Sequence, residues 1–258
     1  MKTKIDIAKN WLPRYTGTPI DKFGDFLLLT NFHNYVERFA NQFNADIEGL
    51  GYPMQTSTNT NGLTIINFGI GSANAATIMD LLIARNPKGV LFLGKCGGLK
   101  KSTELGHFIL PIAAIRGEGT SHDYLPAEVP ALPSFKLHKF VSEITIKHNQ
   151  DYRTGVIYTT NRRVWEWDDQ FKAYLNKLSV IGIDMETATL FIVGHVNEIP
   201  RGALLLVSDR PMVPEGVKTS ESDKLVTQKY SDLHLQIGIE AMTEIGIKGE
   251  NLKHLRYE

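Results

Sequence analysis

The chain has 258 residues, 42% of them hydrophobic, which is enough for one sizeable buried core. Its 28 basic residues balance 28 acidic ones and its pI is about 7.1, which argues against a nucleic-acid or membrane-surface partner because such binding needs a basic field. The chain has a single cysteine, Cys96, so it cannot form an internal disulfide. It has no apolar signal core and no apolar run near the roughly 20 residues of a membrane span. We therefore predict a cytoplasmic protein with one domain over 1–258.

Residues 10–19 are rich in Pro, Gly and Thr, so we predict an irregular segment there rather than a helix, as part of an N-terminal arm over 1–24. Two interpretations of this arm stay open. One is an arm packed by the aromatic rings of Trp11 and Tyr15. The other is an anion-binding arm, whose candidate ligands are Arg14, Thr16 and Thr18.

Continuous apolar runs that alternate with helix-periodic segments follow, as in strands covered on both faces. Strands are predicted at 26–30, 54–60, 63–68, 90–94, 108–115, 151–158 and 201–207, with an Asn61-Gly62 hairpin turn. Helices are predicted at 34–44, 75–84, 135–148, 171–177 and 222–245, the last burying Leu225, Leu233, Ile237 and Met242. This order predicts an α/β fold, a three-layer α/β/α sandwich with a central mixed sheet.

The turn at 69–74 is built from small residues, which let backbone amides approach an anion or a ribose at the start of a helix. It is a poor dinucleotide fingerprint, because Asn74 takes the place of the third glycine and no acidic residue ends a strand about 20 residues later. Close packing between strand and helix explains this turn at least as well.

Polar side chains stand at the ends of several predicted strands, namely Lys95, Glu118, Tyr158, Glu186 and Asp209. Each alone is typical of a turn or a helix start, but five on one sheet favour a site. Glu186 lies where a buried strand runs into a helix, so it is either a partner of the helix dipole or a ligand hook.

Four motifs occur in order, at 94–99, 114–121, 182–188 and 207–209. Together they resemble the purine nucleoside phosphorylase and nucleosidase superfamily over nearly the whole chain from Asn10, and the arm resembles that of the AMP nucleosidases. The resemblance implies a nucleoside phosphorylase-like fold, a homo-oligomer, expected to be a hexamer, and a role in purine nucleotide salvage. The regulatory domain of the long AMP nucleosidases is expected to be absent.

The resemblance also implies roles for individual residues. Met185 and Glu186 would bind the ribose, with Glu186 bridging its two hydroxyls, while Ser208 and Asp209 would handle the purine, with Asp209 protonating N7. Tyr158 would stack on the base. The remaining candidates for substrate contact are Lys95, Cys96, Gly97, Glu118, Asn161, Arg162 and Arg163. Cys96 is interpreted as a small buried residue rather than a nucleophile.

The sequence departs from the phosphorylases at three positions. Asn31, Tyr35 and Phe92 stand where those enzymes hold inorganic phosphate with a glycine and two arginines. Without cations a phosphate nucleophile is poorly neutralised, so water and hydrolysis are favoured. Candidate bases for that water are Glu118 and His33.

The second departure lies in the arm, where relatives approach the 5′ position. Arg14, Tyr15, Thr16 and Thr18 suit a 5′-phosphate, so AMP is the expected substrate, with no cofactor and no metal. The alternatives are an unphosphorylated purine nucleoside, cleaved by water or phosphate, and a nucleotide sensor without turnover. As a general acid Asp209 needs a raised pKa, and the neighbouring Arg210 is an objection to it.

Overall fold

The computed structural model describes residues 1–249 and residue 252. Its strands are β1 (Phe26–Thr30), β2 (Gln55–Thr58), β3 (Leu63–Asn67), β4 (Gly89–Gly98), β5 (Phe108–Gly117), β6 (Tyr152–Thr160), β7 (Gly182–Asp184) and β8 (Arg201–Asp209). Its α-helices are α1 (Lys4–Thr16), α2 (His33–Phe43), α3 (Ser72–Leu81), α4 (Phe135–Lys147), α5 (Asp169–Lys177), α6 (Thr187–Val196) and α7 (Ser220–Lys248). Among these residues no helix is both long and apolar enough to cross a membrane.

The strands form one mixed sheet in the order β2-β3-β1-β4-β7-β6-β5-β8. Strand β1 is parallel to both β3 and β4, and β2 joins β3 through the predicted hairpin. Strand β8 also pairs in parallel with β4, so the second half of the sheet closes on itself. The predicted mixed sheet is confirmed, but its closure was not foreseen, because strand periodicity does not say which strands pair.

Helices cover both faces of the sheet, which completes the predicted three layers. One buried cluster joins α1, α3 and α6 to the sheet, with Leu12, Met79 and Phe191 among its members. Another joins α2, α4 and α7, with Phe39 and Ile237. Burying one such side chain fully stabilises the fold by about 1.5–3 kcal/mol. A smaller cluster lies under α5, beside the ends of β6 and β7.

The prediction of an irregular arm was wrong, because residues 4–16 form helix α1. A capping box starts it, in which Thr3 and Asp6 each bond to the other's backbone N–H. The side chains of Ala8, Leu12 and Thr16 recur every four residues and are buried, so packing outweighs the poor propensity of the last turn. The helix then ends at a left-handed glycine.

Strand β4 also extends past its predicted end at Gly94 to Gly98. A Cβ on Gly98 would lie 2.4 Å from Thr103 Cγ2, and one on Gly97 would lie 2.9 Å from Pro211 Cγ. The glycine pair therefore ends a strand and permits close packing against the segments that follow β4 and β8, whereas a flexible loop was expected there. Leu225, predicted to be buried on α7, is 66% exposed.

Candidate active site

Glu186 lies between β7 and α6 and is buried. Its Oε1 accepts a 2.7 Å hydrogen bond from the N–H of Gly71, and its Oε2 accepts one of 3.3 Å from Met185. Burial and the nearby charge of Asp184 raise its pKa to about 8, while hydrogen bonds from Gly71, Met185 and the Asn31 side chain oppose that rise. Glu186 takes the N-cap position, yet in the described chain its side chain makes no capping bond. The carboxyl is thus turned toward the turn after β3, as a ligand hook would be.

Asp184 stabilises the start of α6 instead. Its Oδ2 accepts hydrogen bonds from the backbone N–H and the hydroxyl of Thr187, at 2.8 and 2.5 Å. Its Oδ1 accepts one of 2.7 Å from the Thr159 hydroxyl. The hydroxyl oxygen of Thr159 in turn accepts a hydrogen bond from the N–H of Ala188. Burial raises the pKa of Asp184. The sequence analysis missed this residue, although an acid just before a helix is a capping signal.

Asp209 ends β8 beside Ser208. The Ser208 hydroxyl donates a 2.6 Å hydrogen bond to Asp209 Oδ1 and accepts one of 3.3 Å from Lys218 Nζ. Burial raises the pKa of Asp209, and the charges of Lys218 and Arg163 partly oppose that rise. The cations that reach this carboxyl thus include Lys218, which the sequence analysis missed because it lies on the loop after β8.

Lys95 points from β4 toward α7 and is almost fully buried. Its Nζ lies 3.0 Å from Asp223 Oδ1, donates to Thr227 Oγ1 at 2.7 Å and lies 4.6 Å from the centroid of Phe32. Asp223 also pairs with Lys218 at 3.0 Å. Lys95 is therefore linked to the Ser208–Asp209 pair through Asp223 and Lys218.

Strand register brings the predicted purine residues together. Asp209 lies opposite Gly97 of β4, Gly97 lies opposite Ile183 of β7, and Ile183 lies opposite Tyr158 of β6. Neighbouring strands are about 4.8 Å apart, so Asp209 and Ile183 are separated by roughly 10 Å. Glu186 follows Ile183 by three residues, which puts both acids near the same end of β4.

Cys96 precedes Gly97 in that strand and is buried in the core. Burial and the charges of Asp184 and Asp209 raise the pKa of its thiol well above the usual value. A neutral buried thiol is a poor nucleophile, which agrees with its interpretation as a packing residue. The described residues contain no cluster of three or more His, Cys, Asp or Glu side chains able to hold a metal ion.

Tyr158 is nearly buried and packs edge-on against Phe171 and Tyr174, with ring centroids 5.7 and 6.2 Å apart. A Cβ on Gly117 would lie 2.2 Å from the phenol ring of Tyr158, so only glycine leaves room for that ring. Burial raises the pKa of Tyr158, and the charge of Glu118 adds to the rise. The ring thus has a fixed position.

Glu118 is buried beside these rings. Its Oε1 accepts hydrogen bonds from the Ser121 N–H at 3.1 Å and the Thr189 hydroxyl at 2.7 Å, while its Oε2 has no partner among the described residues. Its backbone oxygen accepts the side-chain amide of Asn161. The loop that carries Glu118 therefore meets the loop after β6.

The two arginines of that loop differ in their contacts. Arg162 donates a 2.9 Å hydrogen bond to Asp168 and stacks over Phe171, 5.1 Å from its centroid. Arg163 pairs with Glu166 at 3.5 Å, and its charge reaches Asp209. The charge of Arg163 therefore acts on Asp209, whereas Arg162 is held beside Phe171.

The residues of the arm lie on α1 or just after it. The guanidinium of Arg14 is exposed, 5.8 Å from the ring centroid of Trp11, and Trp11 stacks on Tyr15 at 6.1 Å. Thr16 is buried and donates to Leu12 O at 2.8 Å, and Thr18 bonds to Thr56 at 2.5 Å. Arg14 thus faces outward, whereas both threonines are occupied within the fold.

Of the three positions that differ from the phosphorylases, two are packed in the core and one lies near Glu186. Tyr35 is buried, with its hydroxyl 2.9 Å from His234 Nδ1, and Phe92 is buried in the core against Phe68. Asn31 instead reaches the carboxyl of Glu186. His33 is exposed, near Gln55 and Glu37.

A cavity of about 350 Å³ opens beside Asp209. It is lined by Leu105, Ser208, Asp209, Arg210, Val213, Glu215, Gly216, Val217 and Ser222. Its volume falls within the range of small-molecule pockets.

Comparisons with known proteins agree with this architecture. A crystal structure of AMP nucleosidase from Bacteroides thetaiotaomicron VPI-5482 superimposes with a TM-score of 0.86 at 49% identity, over 96% of this chain and 99% of that one. A uridine phosphorylase from Vibrio fischeri ES114 has a TM-score of 0.74 at 23% identity, over 87% of this chain and 93% of that one. The predicted nucleoside phosphorylase-like fold is confirmed.

Sequence relatives lead to the same family. The AMP nucleosidase of Escherichia coli K12 is 29% identical over 294 residues, covering 96% of this chain, and the chain spans 60% of that protein's length. A guanosine phosphorylase of Halorubrum lacusprofundi is 27% identical over 170 residues, covering 66% of this chain and 70% of the relative. The sequence profile of the Phosphorylase superfamily matches residues 25–243. This chain belongs to the Phosphorylase superfamily.

Proposed function

We propose that this protein hydrolyses the N-glycosidic bond of AMP, giving adenine and ribose 5-phosphate. The proposal rests chiefly on one observation: two carboxyls, the partly buried Asp209 and the buried Glu186, flank the end of β4 in different hydrogen-bond environments. Similarity to two proteins named AMP nucleosidase supports the choice of substrate.

Asp209 is the proposed general acid. Adenine leaves poorly as an anion, so a proton delivered to N7 allows it to leave as a neutral base. Burial keeps the pKa of Asp209 raised, which favours the protonated acid that this step needs. Ser208 holds the carboxyl through its hydrogen bond, and Lys218 in turn donates to the Ser208 hydroxyl.

Glu186 is the proposed ribose clamp, with Met185 against the sugar. As a carboxylate Glu186 accepts bonds from both ribose hydroxyls and increases electron donation toward the ring oxygen as positive charge develops. Its backbone partners Gly71 and Met185 fix the carboxyl before the sugar arrives. Such preorganisation lowers the cost of reaching the transition state.

The purine would lie between Asp209 and Tyr158. The register of β8, β4, β7 and β6 supports this, as does the fixed ring of Tyr158. The charge of Arg163 acts on Asp209 and that of Glu118 acts on Tyr158, so both side chains border the proposed position of the purine. Arg162 contributes indirectly by holding Phe171.

Water is the proposed nucleophile. The positions where related phosphorylases place cations hold Tyr35 and Phe92, which are buried and uncharged; Tyr35 bonds to His234 and Phe92 packs against Phe68. A phosphate dianion there would be desolvated without a counter-charge, which is very costly. Hydrolysis is thus favoured over phosphorolysis.

The 5′-phosphate is proposed to bind Arg14 and Tyr15 of a neighbouring copy in a homo-oligomer, expected to be a hexamer. Thr16, also a predicted ligand, is buried and donates to Leu12 O, so it is not assigned to this contact. The exposed guanidinium of Arg14, turned away from its own core, supports this assignment. An arginine fork is well suited to phosphate oxygens.

The test is to incubate the purified protein with AMP or adenosine, with and without inorganic phosphate, and to separate the products by chromatography. We expect adenine and ribose 5-phosphate from AMP at a rate independent of phosphate. Asp209→Asn should lower kcat by about 10²–10⁴-fold, whereas Asp169→Asn, a change at a side chain 94% exposed, should not. Phosphate-dependent cleavage or preference for adenosine would indicate a nucleoside phosphorylase or nucleosidase, and binding without cleavage would indicate a sensor.

A further inference from the structure

Asn31 carries a buried acceptor without a partner. Its Oδ1 is shielded from solvent and receives no hydrogen bond from the described residues, while the Asn31 side chain is close enough to Glu186 to lower the pKa of that carboxyl. An unsatisfied buried polar atom typically costs about 1–3 kcal/mol, so such atoms usually have a partner. A hydrogen-bond donor on a bound molecule would satisfy this oxygen, and its place beside Glu186 distinguishes it from the other unpartnered buried atoms.

The topology says which side of the substrate this oxygen faces. Asn31 directly follows β1, and Asp209 ends β8. Both strands pair with residues 90–93 of β4, so they lie on opposite edges of that strand. With the ribose on Glu186 and the purine toward Asp209, the face of C1′ turned away from the purine lies toward Asn31. A nucleophile that displaces the purine approaches from that face.

We propose that Asn31 positions the nucleophilic water by accepting a hydrogen bond from it at Oδ1. This inference rests on the proposed function. The water oxygen bonds to C1′ as the C1′–N9 bond breaks, and the electron pair of that bond leaves with adenine, which Asp209 protonates at N7. The captured water loses one proton to solvent and Asp209 regains one, so AMP and water balance adenine and ribose 5-phosphate.

The other candidates are less well placed. Glu118 also has an unpartnered buried oxygen, but it lies beside Tyr158 and Thr189 on the purine side. His33 is exposed and occupied by Gln55 and Glu37. An amide cannot remove a proton, but a water that attacks a sugar with cationic character needs orientation more than deprotonation.

The experiment compares Asn31→Ala with Asn34→Ala. Asn34 is a partly buried amide three residues away whose unpartnered atom is the donor Nδ2, so it is a matched control. Both variants and the wild type are assayed for kcat and KM with AMP. The same reactions are run in water–methanol mixtures, and the ratio of methyl riboside 5-phosphate to ribose 5-phosphate is measured.

We expect Asn31→Ala to lower kcat about tenfold to a hundredfold, to change KM for AMP by less than about threefold and to increase the methanol product, because the space freed by the side chain admits a larger nucleophile. Asn34→Ala should leave all three unchanged. The proposal is overturned if Asn31→Ala keeps the wild-type kcat, or if it raises KM while the methanol ratio stays constant. A wild-type protein that does not cleave AMP would instead refute the proposed function.

Discussion

Asp184 and Glu186 are buried carboxyls two residues apart. Burial raises the pKa of both, and the charge of Asp184 raises that of Glu186 further. Their partners differ. Asp184 is bonded by two threonine hydroxyls and the first N–H of α6, all belonging to the fold. Glu186 has two backbone donors and Asn31, and keeps acceptor capacity for a ligand. One acid is structural and the other is suited to bind.

Glu186→Gln should separate catalysis from stability. The amide cannot accept from both ribose hydroxyls, so we expect kcat/KM for AMP to fall by at least about a hundredfold, the effect of one preorganised electrostatic contact. The fold should not weaken, because glutamine resembles the protonated acid already favoured by burial. Steady-state kinetics and thermal unfolding measure the two effects.

The same variant has a definite pH signature. The unfolded chain loses the Glu186 proton near the ordinary value of 4.5 and the folded chain near 8, so the folded state binds more protons between them and wild-type stability falls as pH rises through that window. Glu186→Gln lacks this decline. Its Tm advantage over wild type should therefore grow from pH 4.5 to pH 8. An advantage that shrinks over this range would contradict the raised pKa.

Binding of a ribose to Glu186 should release a proton. At pH 7 the empty site holds the neutral acid, because its pKa is about 8, whereas two hydroxyl donors favour the carboxylate. Calorimetric titration of the Asp209→Asn variant with AMP, in buffers of different ionisation enthalpy, should give close to one proton released at pH 7 and almost none above pH 9. The double variant with Glu186→Gln should release none at either pH.

Local sequence patterns were enough to predict β1, the hairpin around Gly62 and the junction at Glu186, because each depends on neighbouring residues. They were not enough for α1, whose last turn contains Pro13 and is held by tertiary packing of Leu12. The positions of Lys218 and of the unpartnered oxygen of Asn31 could not be predicted from local patterns either. Lys218 contacts Ser208, 10 residues away in sequence, and Asn31 reaches Glu186, 155 residues away. A local sequence pattern does not encode such contacts.

Lys218→Met should change the pH profile rather than abolish activity. The charge of Lys218 lowers the pKa of Asp209, so its removal raises that pKa and keeps the acid protonated to higher pH. The descending limb of the plot of kcat against pH should move to higher pH. Lys224→Met, a change at an exposed lysine on α7, should leave it in place. An unchanged profile in Lys218→Met would mean that another group sets the limb.

Arg14→Gln tests the origin of the phosphate contact. A lost hydrogen bond to a charged group costs about 1.5–3 kcal/mol, so KM for AMP should rise roughly tenfold to a hundredfold while that for adenosine stays constant. Lys9→Gln, an equal change of charge on the same helix, should have little effect.

Mixed oligomers then decide which copy supplies the arginine. Arg14 is exposed on α1, with its guanidinium over the ring of Trp11 of the same helix. If it serves a neighbouring site, then co-expression of Arg14→Gln with Glu186→Gln creates some sites with both residues intact. At low AMP these mixtures should be more active than either parent alone. Activity no greater than the average of the parents would place Arg14 and Glu186 at the same protomer's site, or Arg14 outside the site altogether.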